Sequence, residues 1–141
     1  MRRDIPLKQL REGSRFSPEQ LAEAGGLDLA SYDDLETHDD ELTCNVSLDS
    51  IARLARALGV KASVLYDGQS TGIVSLEQLA ALLREHFARS GKSLDDFETD
   101  LGWGVAPALS NPEAFREFNV DGLRAVCEAV NVGWLEVLDG L

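Results

Sequence analysis

The sequence predicts an all-α protein built from two tandem units of short helices. Three observations carry this expectation. Helix-start signals recur along the chain, apolar residues return at helical rather than alternating spacing, and the order of these features in the first half is repeated in the second. With 141 residues, 44% of them hydrophobic, the chain can build a core, which separates it from disordered acidic chains.

Taken in order, Leu7 to Arg15 reads as an opening helix. Ser17-Pro18-Glu19-Gln20 is a capping box with proline at the first helical position, and it starts a second helix running to Ala24. Ser47 is an N-cap candidate for a helix whose Ile51, Leu54, Ala55 and Leu58 share one face; that helix stops at Gly59-Val60 and leads to Val64-Leu65. The polar run Asp67-Gly68-Gln69-Ser70-Thr71-Gly72 reads as a linker. Ser75-Leu76-Glu77-Gln78 is a second capping box, opening a helix to Arg89, and Ser93 caps the next helix to Asp100. Asn111, followed by Pro112, is a further cap candidate. Leu123, Val126, Cys127 and Val130 repeat the apolar stripe, Asn131-Val132-Gly133 repeats the turn, and Val137-Leu138 repeats the ending. The boundaries are therefore residues 1–67 for the first unit, 68–74 for the linker and 75–141 for the second unit, each of five short helices. Units this small are marginal alone and are expected to pack together through apolar faces.

The most specific local pattern is Leu21-Ala22-Glu23-Ala24-Gly25-Gly26-Leu27, followed by Tyr32 and Leu35. Two helices crossing steeply at a tight turn need a small residue at the crossing, a glycine in the turn and apolar residues pointing back from the second helix. Ala22, Gly26, Leu27, Tyr32 and Leu35 meet those needs as the scaffold of such a motif. With Leu7-Lys8-Gln9-Leu10-Arg11 before it and the stretch Ile51 to Val60 after it, the region 5–66 resembles the Cro/C1-type (phage-repressor, XRE) helix-turn-helix family. Glu36 stands where that family commonly carries an acidic residue.

Residues 75–138 resemble the same family as a degenerate second copy, through Leu83-Arg84, Gly91, Ser93, Gly102, Trp103 and the stretch from Leu123 to Leu138. Glu98 occupies the crossing position that wants a small residue, and Gly104, Pro107 and Pro112 shorten the following helix. The second copy is thus expected to keep the scaffold and lose the reading helix. Two copies in one chain would form a pseudo-twofold pair that imitates the family's usual dimer, leaving the chain a monomer with an internal pseudo-dimer or a homodimer.

In this family the resemblance implies that the helix after the turn lies in the DNA major groove, with its early exposed residues on base edges. Here those positions are Asp28, Leu29, Ala30, Ser31, Asp33, Asp34, Thr37 and His38, and they include none of the Arg, Lys, Asn or Gln side chains that most often read bases. The charge map agrees. The net charge is −12, and from Phe16 through Ala52 there is no Lys or Arg beside Glu19, Glu23, Asp28, Asp33, Asp34, Glu36, Asp39, Asp40, Glu41 and Asp49. From Ser93 through Phe115 cations are again absent, beside Asp95, Asp96, Glu98, Asp100 and Glu113. Affinity for the phosphate backbone needs cations, so both faces have the wrong sign.

Two functions remain. In the first, a non-enzymatic regulator binds a protein, for instance a basic one, through the acidic face of Asp33, Asp34, Glu36, Asp39, Asp40 and Glu41, in the manner of an inhibitor, antitoxin, immunity protein or repressor modulator. In the second, a sequence-specific transcriptional regulator touches DNA through Arg2, Arg3, Lys8, Arg11, Arg15 and Ser31. Function has to be argued from the site rather than the fold, and this places protein contact first.

Nothing points to catalysis, a cofactor or a metal. His38 and His86 lie in different units without a second histidine at ligand spacing, and His38-Asp39-Asp40-Glu41 lacks the alternating ligands and central glycine of a calcium loop. Cys44 and Cys127 read as buried free thiols. Trp103 and Trp134 read as packing residues, and the uncharged stretch Leu101 to Leu109 is the most apolar exposed candidate for a partner groove. No apolar run is long enough to span a membrane, and the start Met1-Arg2-Arg3-Asp4 leads into no secretory segment, so a cytosolic protein is expected.

Overall fold

The computed structural model describes residues 6–141 except 39, 40, 67 and 69, and within them the chain is all-α, with no strand. The first half runs α1 (Pro6–Ser14), α2 (Pro18–Ala24), α3 (Leu29–Thr37), α4 (Glu41–Cys44), α5 (Leu48–Leu58) and a 3-10 turn at Ala62–Tyr66. The second half runs α6 (Leu76–Ser90), α7 (Leu94–Leu101), α8 (Ala106–Ser110), a 3-10 turn at Pro112–Glu117, α9 (Val120–Ala129) and α10 (Trp134–Asp139). Among the described residues no helix is long and apolar enough to cross a membrane.

The caps act where the sequence places them. Ser17 and Ser75 each accept from the third helical N–H while Gln20 and Gln78 reach back to the cap nitrogen, completing both capping boxes. Ser47 and Ser93 cap α5 and α7, and Asn111 caps the turn at Pro112–Glu117, while α9 is capped by Asn119, which is outside the expected caps. One short element per half exceeds the expected five. Glu41–Cys44 and Pro112–Glu117 are too short to show a period, and of the two only Pro112–Glu117 has a start signal in the sequence, at Asn111.

The halves also share unusual backbone. Leu27 N–H donates to Ala22 O at 2.8 Å across a turn in which Gly26 has φ +72°, and Trp103 N–H donates to Glu98 O at 3.3 Å across a turn in which Gly102 has φ +80°. After the long buried helices, Val60 N–H donates to Ala55 O at 3.0 Å and Val132 N–H to Cys127 O at 2.9 Å, past Gly59 and Asn131 in the left-handed region. Arg15 and Gly91, at φ 67° and 65°, end the two opening helices alike.

The halves do not keep separate cores. A single buried cluster runs from Leu7, Leu21, Leu48 and Leu65 to Leu83, Phe115, Leu123 and Leu138. Contacts between elements stitch them, α5 against α10 among them. The turn at Ala62–Tyr66 packs on α10, α4 packs on α9, and the turn at Pro112–Glu117 packs on α5. Leu48 N–H donates to Phe118 O at 2.8 Å, and Asn119 caps Gly122 N–H while its Nδ2 donates to Cys44 O at 2.9 Å.

Two expectations need correction, for Cys44 and for the Leu101 to Leu109 stretch. Cys127 is buried, and burial, then the charge of Glu136, pushes its thiol up to about 12, whereas Cys44 is exposed at the end of α4. The Leu101 to Leu109 stretch is not an open apolar surface, because Val105 and Ala108 are buried and Leu101, Trp103 and Leu109 pack against the core. Both tryptophans serve packing. Trp134 meets Tyr66 edge-on at 5.2 Å across the halves, and Trp103 lies 5.8 Å from Phe118 and against Gly122.

Candidate functional site

The α2–α3 corner is built from small residues and one side-chain cap. Ala22 and Leu21 are buried under α5, and Gly25 lies so close to Leu54 that a Cβ there would stand 2.8 Å from Leu54 Cδ2. Gly26 turns the chain and Leu27 is half-buried beneath it. Asp28 then caps α3 by accepting Ser31 N–H at 2.7 Å, and hydrogen bonds from the Ser31 hydroxyl and then from its N–H hold the carboxyl below the usual range. Tyr32 and Leu35, one turn apart, are buried, so the opposite side of α3 faces outward.

That outward side carries Leu29, Ala30, Ser31, Asp33, Asp34, Thr37 and His38, all exposed. Asp33 and Asp34 enter no ion pair among the described residues. Asp39 and Asp40 lie outside the described residues. Glu41 is half-buried in the first turn of α4 and accepts from Asn45 Nδ2.

Glu36 does not share this face. Its Oε1 and Oε2 accept from Arg11 Nε and Nη2, and Oε1 also accepts from Tyr32 Oη at 2.8 Å, while Arg11 Nη1 reaches Phe16 O at 3.3 Å. The Arg11 and Glu36 side chains are only 14% and 10% exposed. The hydrogen bond to Glu36 raises the affinity of the guanidinium for its proton, and burial followed by Glu36 pushes the Tyr32 phenol up, so both stay donors. Glu36 therefore leaves the acidic surface, and Arg11 leaves the set of cations that could meet DNA. Of the others, Lys8 and Arg15 are exposed, Ser31 N–H is held by Asp28, and Arg2 and Arg3 lie outside the described residues.

Arg53 is a cation that the charge map missed. It follows the cation-free stretch in sequence, yet its Nη1 would stand 3.2 Å from a Cβ at Gly26, so it lies beside the α2–α3 turn. It is paired with Asp49 at 3.1 Å, and Arg116 of the second half approaches the same carboxylate at 3.9 Å.

The corresponding corner of the second half is altered. Helix α8 has five residues, Pro107 sits in its first turn and Pro112 opens the next turn. Val105 offers no side-chain cap, and the Glu98 carboxylate does that work from α7 by accepting Val105 and Ala106 N–H. At the other end Arg84 donates to Leu109 O at 3.1 Å. A negative charge at the first pole and a positive charge at the last complement the helix dipole.

Among the described residues no group of His, Cys, Asp and Glu is arranged to hold a metal ion. His38 is exposed at the end of α3, and His86 is exposed with its ring 5.6 Å from Phe97. The concave places are shallow. One of them, about 380 Å³, lies between α5 and α10 with Arg56, Lys61 and Asp139 on its rim.

No protein-family model, curated protein or solved structure matches the chain.

Proposed function

We propose that the chain is a pseudo-twofold pair of Cro/C1-like units, the second degenerate, and that it is a non-enzymatic cytosolic regulator working by protein contact through the outward face of α3. The pairing is supported by the matched turns of the two halves and by their reciprocal packing. The short fourth element of each half lies on the long buried helix of the other, α4 on α9 and Pro112–Glu117 on α5, and the last elements lie on one another. Exchanging the halves exchanges these contacts.

One observation carries the function. The face that would meet DNA presents Asp33 and Asp34 and no cation of its own, and the nearest arginine on α1 is turned inward to Glu36. Phosphates would be repelled there, while a surface of opposite sign would be attracted and steered. Replacing Asp33, Asp34, Asp39 and Asp40 together by Asn is expected to weaken capture of the partner that the wild-type chain retains from its own cytosol, with helicity intact. Unchanged capture would refute the acidic-face reading.

Sequence-specific DNA binding is the second reading, and Arg53 is the observation in its favour. It lies beside the α2–α3 turn, and Lys8 and Arg15 are exposed on and just after α1. This reading expects retardation of a fragment of the chain's own promoter at low micromolar concentration with steep loss on adding salt. No shift at about 50 mM salt would remove it.

A further inference from the structure

The long buried helices of the two halves run in register. Ser47 and Asn119 cap α5 and α9, Gly59 and Asn131 take the left-handed conformation after them, and Val60 and Val132 donate back to Ala55 and Cys127. All these pairs are separated by one constant interval along the chain, and the same interval sets Ala52 against Arg124, Arg56 against Glu128, Ala62 against Trp134 and Tyr66 against Leu138.

The side chains set against one another are unequal in size. Trp134 lies edge-on to Tyr66 of the first half at 5.2 Å, and the Arg124 guanidinium stands 5.5 Å from the centre of its ring. The corresponding three positions on the other side are Ala62, Leu138 and Ala52, and all three line the trough of about 380 Å³ between α5 and α10. What an indole and a guanidinium fill on one side is open on the other.

The rim differs in charge as well. Arg56 stands where the other side has Glu128, with Lys61 on the same rim, and neither cation enters an ion pair among the described residues. The rim carboxylate of Asp139 has both oxygens occupied, Oδ1 by Ser63 N–H at 2.8 Å and Oδ2 by Ser63 Oγ at 2.8 Å and by Ser70 Oγ. The negative pole of α5 is also met, because Gly59 N–H donates to Arg56 O at 3.2 Å and Val60 N–H to Ala55 O at 3.0 Å. Two unpaired cations at the mouth of an apolar trough favour an anion.

We infer that this trough binds a small aromatic carboxylate, with its ring against Ala52, Ala62 and Leu138 and its charge between Arg56 and Lys61. The inference rests on the pairing of the halves proposed above and not on the acidic face of α3. Small-molecule sites span roughly 300–1,000 Å³, so a trough at the lower end suits one bicyclic ring rather than a longer ligand.

The test is titration of the full chain with indole-3-acetate, followed through backbone amide NMR signals. Those of Ala52, Arg56, Lys61, Ala62 and Leu138 should move together and saturate with a dissociation constant of about 1 mM or tighter. Indole-3-ethanol lacks the charge and acetate lacks the ring, and each should bind about tenfold more weakly or worse. Arg56→Gln with Lys61→Gln should weaken indole-3-acetate about tenfold, whereas Lys8→Gln with Arg15→Gln removes the same charge elsewhere and should change nothing. Ala62→Trp supplies from the chain the ring that the trough would take from solution, and should abolish binding. Cross-relaxation between Tyr66 and Trp134 in the free chain reports the pairing of the halves by itself. If it is absent, the pairing falls and the inference with it; if it is present and the trough amides do not respond below about 10 mM indole-3-acetate, the inference alone falls. Equal binding of acetate, or equal weakening by the two double variants, would also overturn it.

Discussion

The guanidinium of Arg11 and the carboxylate of Glu36 lock α1 to α3 across 25 residues of sequence, with Nη2 to Oε2 at 3.3 Å and the Tyr32 hydroxyl completing the set. This lock fixes how the opening helix meets the helix that bears the candidate surface. It also decides the sign of that surface, because the arginine that could have neutralised it is spent internally.

Glu36→Gln tests the lock. The substitution keeps the shape and leaves a mostly buried guanidinium without its counter-charge, so it is expected to cost about 2–3 kcal/mol, toward the lower end for a pair retaining some solvent contact. Urea unfolding at neutral pH measures this. A loss under about 0.5 kcal/mol would place the pair among surface ion pairs instead.

Gly122→Ala probes the seam around Trp103. An added Cβ would collide with Trp103 Cε2, so the indole must move off α9. Overpacking of this kind costs about 1–3 kcal/mol, despite the better helix propensity of alanine. The emission of Trp103, read in a Trp134→Phe background, should shift toward the red as the ring gains water. An unshifted spectrum with unchanged stability would mean that the ring does not rest on Gly122.

Stability should fall in acid, in part through Asp139. Burial alone would raise its carboxyl, but the bonds from Ser70 and Ser63 and the nearby charge of Lys61 outweigh it and hold the group below its ordinary 3.8. A carboxyl depressed in the folded state contributes stability that is fully present above the unfolded value and is lost as pH falls through the lower folded value. Asp139→Asn should therefore be less stable than wild type at pH 7, with the gap closing below about pH 4. Chemical unfolding at pH 7, 4 and 3 follows this, and a gap constant with pH would show that the charge of Asp139 contributes nothing.

The features legible in the sequence were the local ones. Capping boxes at Ser17 and Ser75, the turn at Gly26 and the apolar stripe of α5 depend on neighbours within a few residues, so their meaning survives without coordinates. What depended on distant partners was not legible. Glu36 reads as surface acid until Arg11 is brought beside it, and Arg53 reads as lying past the corner until the fold carries it to Gly26. Glu98 looks like a misfit at a helix crossing, yet its carboxylate reaches forward to the bare N–H groups of α8. A side chain long enough to choose among partners cannot be assigned one from its position in the sequence.

The clamped, five-residue α8 has a consequence for stoichiometry. A true dimer of identical halves displays each surface twice and favours targets that are themselves duplicated or palindromic. Under the proposed pseudo-twofold pairing, Glu98 and Arg84 tie down the element that would stand where a second α3 belongs, and the surface of α3 would be displayed once. Whatever engages it should do so one to one, and a symmetric target would leave half of itself unmet.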